Sequence, residues 1–271
     1  SDALRKAMGK KKKDIVDAMK PKFIKQGQEN GHDPKVLEKI WGDWEKFASY
    51  AFNKSHATCY SWVAYQTAYL KAHYPAEYMA ALMTRRFSQI TEITKLMEEC
   101  QSMNIKTLGP DVNESYRAFG VNEHGEIRFG LSAIKGMGTP AADAIVAERE
   151  KNGPYKDIFD FAQRVDFSNV NRKAFESLAL SGGFDSFGIP RENFFGVNNK
   201  NEMFLDTLVR YGQLYQREQH EAVTSLFGGL DAIEIATPPI PHAEGWSTIE
   251  RLNKERDLVG IYLSAHPLDD Y

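Results

Sequence analysis

Apolar side chains recur at intervals of three and four through the first hundred residues, the spacing that keeps them on one helix face. Asp33 as a cap and Pro34 at the first helical position predict a helix start, and Val36, Leu37, Ile40, Trp41 and Trp44 follow on one side. A longer helix is predicted beyond Asn53 to Ser55, over the apolar-rich stretch from His56 to about Ala72. Pro75 restarts the pattern through Tyr78, Met79, Leu82 and Met83. Ser88 stands where it would cap a further helix, carrying Ile93, Leu96 and Met97 as far as Asn104.

The pattern changes at Leu108-Gly109-Pro110. Ser115 to Val121 and Glu126 to Leu131 are short alternating runs around Asn122-Glu123-His124-Gly125, which predicts a β-hairpin. Short helices are expected over Ala141 to Glu150, Phe159 to Arg164 and Arg172 to Leu180, the last stopped at Ser181-Gly182-Gly183-Phe184-Asp185. From residue 210 the chain turns Gln-rich and acidic, then Pro-rich over Thr237 to Pro241, so a flexible segment is expected there. The fold class is therefore mainly α and multidomain, a helical region followed by a small β-hairpin and further short helices.

Composition narrows the class. The 271 residues are 42% hydrophobic and 26% charged, which suits globular domains and excludes wholesale disorder or a fibrous repeat. Two cysteines, Cys59 and Cys100, make neither a zinc knuckle nor a disulfide framework and fit a reducing, cytoplasmic setting. No apolar run reaches the length of a membrane span, and no signal peptide is visible. Ser1 in place of Met and a stop at Tyr271 point to a piece of a longer protein.

A net charge of −3 argues at first against nucleic acid, but it averages unlike segments. Residues 1–25 carry a local +6 and residues 215–250 a local −5.

Ile134-Lys135-Gly136-Met137-Gly138, followed by Thr139-Pro140, is the strongest local motif. Two glycines spaced by one permit a tight turn whose amides, at a helix N-terminus, can approach a phosphate with no Cβ in the way. This is the helix-hairpin-helix pattern; an ordinary glycine turn between helices fits the same residues. A degenerate second unit at Arg172 to Asp185 moves the balance towards DNA. Asn53-Lys54-Ser55-His56 would put a cap, a cation and an imidazole at one helix start, where a phosphate could sit, although a plain cap serves equally. Arg5, Lys6, Lys10 and Lys11 form a second basic cluster. Leu226 and Phe227 are an apolar pair in an acidic stretch, the form of a peptide ligand for a partner's pocket. No carboxylate pair suited to metal catalysis, no nucleophile with its base and no Walker-type loop is present, so neither a catalytic residue nor a metal ligand is assigned.

Long stretches of the chain resemble the C-family replicative DNA polymerases of bacteria, the DNA polymerase III alpha subunits. The resemblance is carried by Leu4-Arg5-Lys6-Ala7-Met8-Gly9-Lys10-Lys11, by Phe52-Asn53-Lys54-Ser55-His56-Ala57 onward to Tyr65-Gln66-Thr67, and by Leu70-Lys71-Ala72-His73-Tyr74-Pro75-Ala76-Glu77-Tyr78-Met79. Pro110-Asp111-Val112-Asn113, the glycine hairpin, Ser181-Gly182-Gly183-Phe184-Asp185 and Gly260-Ile261-Tyr262-Leu263-Ser264-Ala265-His266-Pro267 continue it in family order.

That resemblance implies later fingers domain over residues 1–107 and a tandem helix-hairpin-helix domain over 108–190. It implies a connection with a sliding-clamp peptide over 191–245 and a lead-in to an OB domain over 246–271. Arg5, Lys6, Lys10, Asn53, Lys54, Ser55 and His56 would then face the incoming deoxynucleoside triphosphate and the primer-template. Lys135, Gly136, Gly138, Thr139, Arg172 and Lys173 would hold duplex phosphates, and Leu226 and Phe227 would anchor the clamp, the beta subunit. Val223 stands where that motif usually has Gln. The family's Mg2+-binding carboxylates lie in a palm domain that this chain does not contain, so it should bind DNA and other holoenzyme subunits without polymerising alone. Two other readings compete, a stand-alone helix-hairpin-helix scaffold and a repair glycosylase that would use Asp143.

Overall fold

The computed structural model describes residues 2–10, 12–50, 53–224 and 235–265. They form a mainly helical protein in two compact units, residues 1–69 and 70–271.

The first unit contains α1 (Asp2–Gly9), α2 (Lys13–Glu29), α3 (Pro34–Tyr50) and most of α4 (Lys54–His73). Asp33 starts α3 as its sequence predicts, accepting the Lys35 amide at 2.8 Å. The core is small: Ala7 of α1, Val16 of α2 and Trp41 of α3 are buried, with Leu4, Met8, Met19, Phe23 and Trp44 packed on them. The Phe23, Trp41 and Trp44 rings lie 5.0–5.6 Å apart at tilted or edge-on angles, the arrangement aromatic quadrupoles favour. Helix α4 has no buried residue although apolar and aromatic side chains occur all round it, Cys59, Tyr60, Trp62 and Tyr65 among them.

The second unit adds α5 (Pro75–Arg86) and α6 (Ile90–Ser102), which pack on a sheet of three two-residue strands, β1 (Thr107–Leu108), β2 (Gly120–Val121) and β3 (Ile127–Arg128). Strand order is β1-β3-β2. β2 and β3 are the antiparallel hairpin expected around Asn122 to Gly125, though much shorter, with Gly120 opposite Arg128. The sequence gives no sign of β1, which pairs parallel with β3 across twenty residues. Ser88 does not cap α6; Gln89 precedes the helix, and no side-chain cap hydrogen bond is made at its start.

Among the described residues five further helices follow in the unit: α7 (Thr139–Asn152), α8 (Ile158–Arg164), α9 (Arg172–Ser181), α10 (Phe204–Thr224) and α11 (Thr248–Val259). Asp157 and Asn171 cap α8 and α9, and Gly182 ends α9 at φ +88°, the stop its sequence predicts. A run of edge-on and stacked rings, Phe175, Phe161, Phe184, Phe194 and Phe204, joins α9, α8 and α10 at centroid spacings of 5.0–6.0 Å. Cys100 is fully buried in the same core.

Residues 210 to 224 are helical, not the flexible chain their composition predicts. Tyr211 is buried, and the Gln216 amide donates to the carbonyls of Gln163 and Val165 at 2.9 and 2.7 Å. The glutamine that made the segment look solvated thus satisfies the orphaned C-terminal carbonyls of α8. The Pro-rich stretch over Thr237 to Pro241 carries no regular structure.

Candidate nucleic-acid interface

Extended backbone at Ile134 leads into the turn that starts α7, and only one 3-10 turn, Leu131–Ala133, stands where the motif was expected to have a preceding helix. The two glycines are used differently. Gly136 has φ +89°, and a Cβ there would meet Ser177 Oγ at 2.7 Å, so the turn itself requires glycine. Gly138, the residue before α7, sits at φ −76° and ψ 155°, ordinary for any L residue. The nearest atom to a Cβ there would be Pro140 Cδ at 3.6 Å, so nothing within the chain demands glycine.

The amides of this turn are open. Among the described residues no backbone or side-chain acceptor is recorded for the N–H groups of Gly136, Gly138 or Thr139, and no side chain caps α7. All three residues are exposed. Free donors at the positive end of a fourteen-residue helix form an anion-binding surface.

Helix α9 buttresses this turn. Ser177 Oγ donates to the Lys135 carbonyl at 3.0 Å, and the Lys135 amide donates to Leu258 of α11 at 2.9 Å. The Lys173 stem runs beside Gly136, its Cε 3.4 Å from where a Cβ would stand. Lys135, Gly136, Gly138, Thr139 and Lys173 therefore gather on one surface. Lys173 also lies 3.4 Å from Glu176. Arg172 is occupied: Nε reaches Asp206 at 2.6 Å and Nη1 reaches Glu176 at 2.9 Å, and the Asp206 hydrogen bond holds its guanidinium charged more firmly than usual. Ser177, which fixes the turn, has no signal in the sequence because its partner lies forty-two residues away.

In the first unit the candidate residues fall on two helices. Arg5 and Lys6 of α1 share Asp2, at 2.7 and 2.9 Å, and their hydrogen bonds pull its carboxyl below the usual range, Lys6 more than Arg5. Such exposed pairs are weak and exchange readily for another anion. Lys10 is exposed at the end of the same helix. At α4, Asn53 Oδ1 accepts the His56 amide at 3.2 Å and the Ser55 hydroxyl at 2.9 Å, so Asn53 is the cap. Lys54 is exposed in the first turn, and the His56 ring stacks on Tyr60 at 4.2 Å.

Leu226 and Phe227 lie outside the described residues. Asp143 is exposed and sits 3.4 Å from Arg117, on the open face of α7. Among the described residues no group of three or more His, Cys, Asp or Glu side chains is placed to hold a metal. No described helix is long and apolar enough to cross a membrane.

Comparison with known proteins matches residues 104–194 to the helix-hairpin-helix motif family, the segment just described. Full-length similarity extends further. The chain is 41% identical over 274 residues to the DNA polymerase III subunit alpha of Chlamydia trachomatis, covering 99% of this chain and 21% of that protein. The corresponding proteins of Pasteurella multocida and Escherichia coli are 40% and 36% identical over 275 and 272 residues, in each case 100% of this chain and 23% of the relative. The chain thus spans a little over a fifth of the length of these relatives. With that identity sustained from end to end, and with the glycine turn standing inside the matched motif, the chain belongs to the DNA polymerase III alpha subunit family.

Proposed function

We propose that this chain is the part of a replicative polymerase that holds DNA around the site of synthesis, supporting template-directed DNA synthesis in the longer protein. Residues 1–107 act as fingers and 108–190 as the duplex grip. Residues 191–245 connect to the sliding clamp, and 246–271 lead into an OB domain. Arg5, Lys6, Lys10, Lys54 and His56, with Asn53 and Ser55 holding the start of α4, offset charge on the incoming triphosphate and the primer-template. Lys135, Thr139 and Lys173 flank the open amides on duplex phosphates, while Arg172, already between two carboxylates, contributes mainly by placing Lys173. The chemical step and its Mg2+ belong to palm carboxylates outside this chain, and the whole works in the cytoplasm with other holoenzyme subunits.

The observation that carries the reading is Gly138, a glycine with ordinary dihedrals and open space beside three unpartnered amides. Nothing within the described residues needs the missing Cβ, whereas a phosphate drawn to such amides would. Gly138→Val should leave thermal stability within about 0.5 kcal/mol. It should nevertheless weaken duplex binding roughly tenfold, equally at every sequence tested, as backbone contacts require. Gly136→Val should instead lower stability, since φ +89° and Ser177 both oppose a side chain there. Undiminished duplex affinity in Gly138→Val, or a sequence-selective loss, would sink the duplex reading.

The clamp assignment rests on the apolar Leu226-Phe227 pair within an acidic stretch. Replacing both by Ala should abolish retention of the sliding clamp in a pull-down and leave duplex affinity unchanged. Clamp retention equal to the unmodified chain would remove the tether from the scheme.

A further inference from the structure

Asparagine is followed by glycine at two places, Asn30-Gly31 and Asn152-Gly153. An Asn side-chain amide can be attacked by the backbone nitrogen of the next residue, and glycine, with no Cβ, obstructs that approach least. Sequence alone makes the two pairs equivalent; the fold does not. At the first the nucleophile is engaged: the Gly31 amide donates to the Gln28 carbonyl at 2.9 Å, and Asn30 Nδ2 donates to the Gln26 carbonyl at 2.8 Å. At the second, Asn152 is the exposed last residue of α7, and among the described residues no acceptor is recorded for the Gly153 amide. A Cβ at Gly153 would meet nothing within 4 Å, so no neighbour crowds the turn.

The fold also keeps this pair in place. Gly153 has φ +84° and ψ 173°, a conformation open almost only to glycine, so the residue that makes Asn152 reactive is the one with which α7 must end. Around it stands a network that depends on Asn152 remaining neutral. Asn152 Nδ2 donates to Glu148 Oε1 at 2.8 Å, and the same oxygen accepts Arg164 Nε at 2.9 Å. Arg164 then donates from Nη2 to the Gly153 carbonyl at 2.7 Å and from Nη1 to the Pro154 carbonyl at 3.1 Å, with its guanidinium 4.5 Å over the Tyr155 ring. One arginine thus holds three consecutive residues of the turn that joins α7 to α8. A carboxylate at position 152 would repel Glu148 one helical turn away, oppose the negative end of the α7 dipole and compete with Glu148 for Arg164.

We propose that Asn152 is a site of spontaneous deamidation and that the carboxyl it creates loosens the turn between α7 and α8. The Gly153 nitrogen attacks Asn152 Cγ and the new N–C bond closes a succinimide ring. The Cγ–Nδ2 bond breaks, and the proton displaced from Gly153 leaves with Nδ2 as ammonia. Water then opens the ring at either carbonyl, giving aspartate or, with the backbone rerouted through Cγ, isoaspartate. The net change is one water consumed and one ammonia released. The inference rests on neither the duplex nor the clamp reading.

The test incubates the whole chain at mildly alkaline pH and follows deamidation by mass spectrometry of the tryptic peptides Asn152–Lys156 and Gln26–Lys35. Asn152 should react roughly fivefold faster than Asn30, the factor expected when one amide must first leave a hydrogen bond. In concentrated urea the two rates should converge, since the hydrogen bonds that separate them are gone. The aged chain should have a lower Tm than the fresh chain, and Asn152→Asp, one of the two products, should show that fall without ageing. Asn152→Gln, whose longer side chain closes the ring poorly, should age without it. Equal rates in the folded chain, faster reaction at Asn30, or a difference that persists in urea would overturn the site. An unchanged Tm in Asn152→Asp, or a fall as large in aged Asn152→Gln, would overturn its effect on the turn. The rate comparison uses the unmodified chain alone, so it stands however the variants fold.

Discussion

Arg191→Met should destabilise the second unit by about 3–5 kcal/mol, seen as a fall of roughly 10 °C in Tm. Arg191 is 8% exposed and Glu255 1% exposed, and they are joined at 2.9 Å. Arg191 also donates from Nε and Nη2 to Asp185 at 2.9 and 2.6 Å. Glu255 accepts the Leu263 and Ser264 amides at 2.8 and 2.9 Å and the Ser264 hydroxyl at 2.8 Å. One ion pair therefore ties α11 and the chain beyond it to the end of α9. Removing the guanidinium leaves a carboxylate buried with only part of its partners, the costly way to break such a pair.

The pH dependence of this pair separates charge from packing. Burial pushes the Glu255 carboxyl upward, but Arg191, the Ser264 amide and hydroxyl, and the Leu263 amide together outweigh it and hold it below the ordinary 4.5. A depressed folded value contributes stability that is present above the unfolded value and lost as pH falls through the folded one. The unmodified chain should lose this contribution on acidification below about pH 4.5. Without Arg191 the same carboxyl is easier to protonate when folded, so acid should narrow the stability gap between the two proteins. A gap that stays constant from pH 7 to pH 4 would mean that Arg191 acts through packing alone.

Gly212→Ala should reverse the usual sign of a glycine replacement within a helix. In an exposed helix interior the change gains about 0.5–1 kcal/mol. Here a Cβ would overlap the Ala162 carbonyl oxygen and stand 2.7 Å from Phe167 Cζ, where α10 crosses α8. A backbone carbonyl that ends a short helix cannot turn aside, so the helices must part, and overpacking of this kind costs about 1–3 kcal/mol. A net loss near 2 kcal/mol is expected for Ala and more for Val, measured by urea unfolding with an unchanged m-value. Because α10 leads to the acidic stretch that holds Leu226 and Phe227, the same variants should leave duplex binding intact wherever the unit remains folded.

Local signals in the sequence foretold the elements that local chemistry decides. Asp33-Pro34, Asn53 and Pro75 start their helices where the pattern places them, and Gly182 ends α9. What escaped depends on partners far along the chain. β1 is two residues long and exists only against β3. Gln216 reads as a solvated side chain until α8 offers it two carbonyls. The Arg172–Asp206 pair likewise joins residues thirty-four apart, a spacing that no local pattern announces. The glycine turn was legible as a motif, but its division of labour was not, since only dihedrals and surrounding space separate the glycine the turn needs from the one it does not.

The chain's two thiols differ in a way that matters for handling it. Cys100 is enclosed in the core, and burial raises its pKa, which suppresses the reactive thiolate. Cys59 is exposed on α4, one residue from Tyr60 and three from Trp62. A maleimide probe added to the folded protein therefore labels α4 alone, within reach of its exposed aromatic rings, and no cysteine need be engineered in or out to follow that helix.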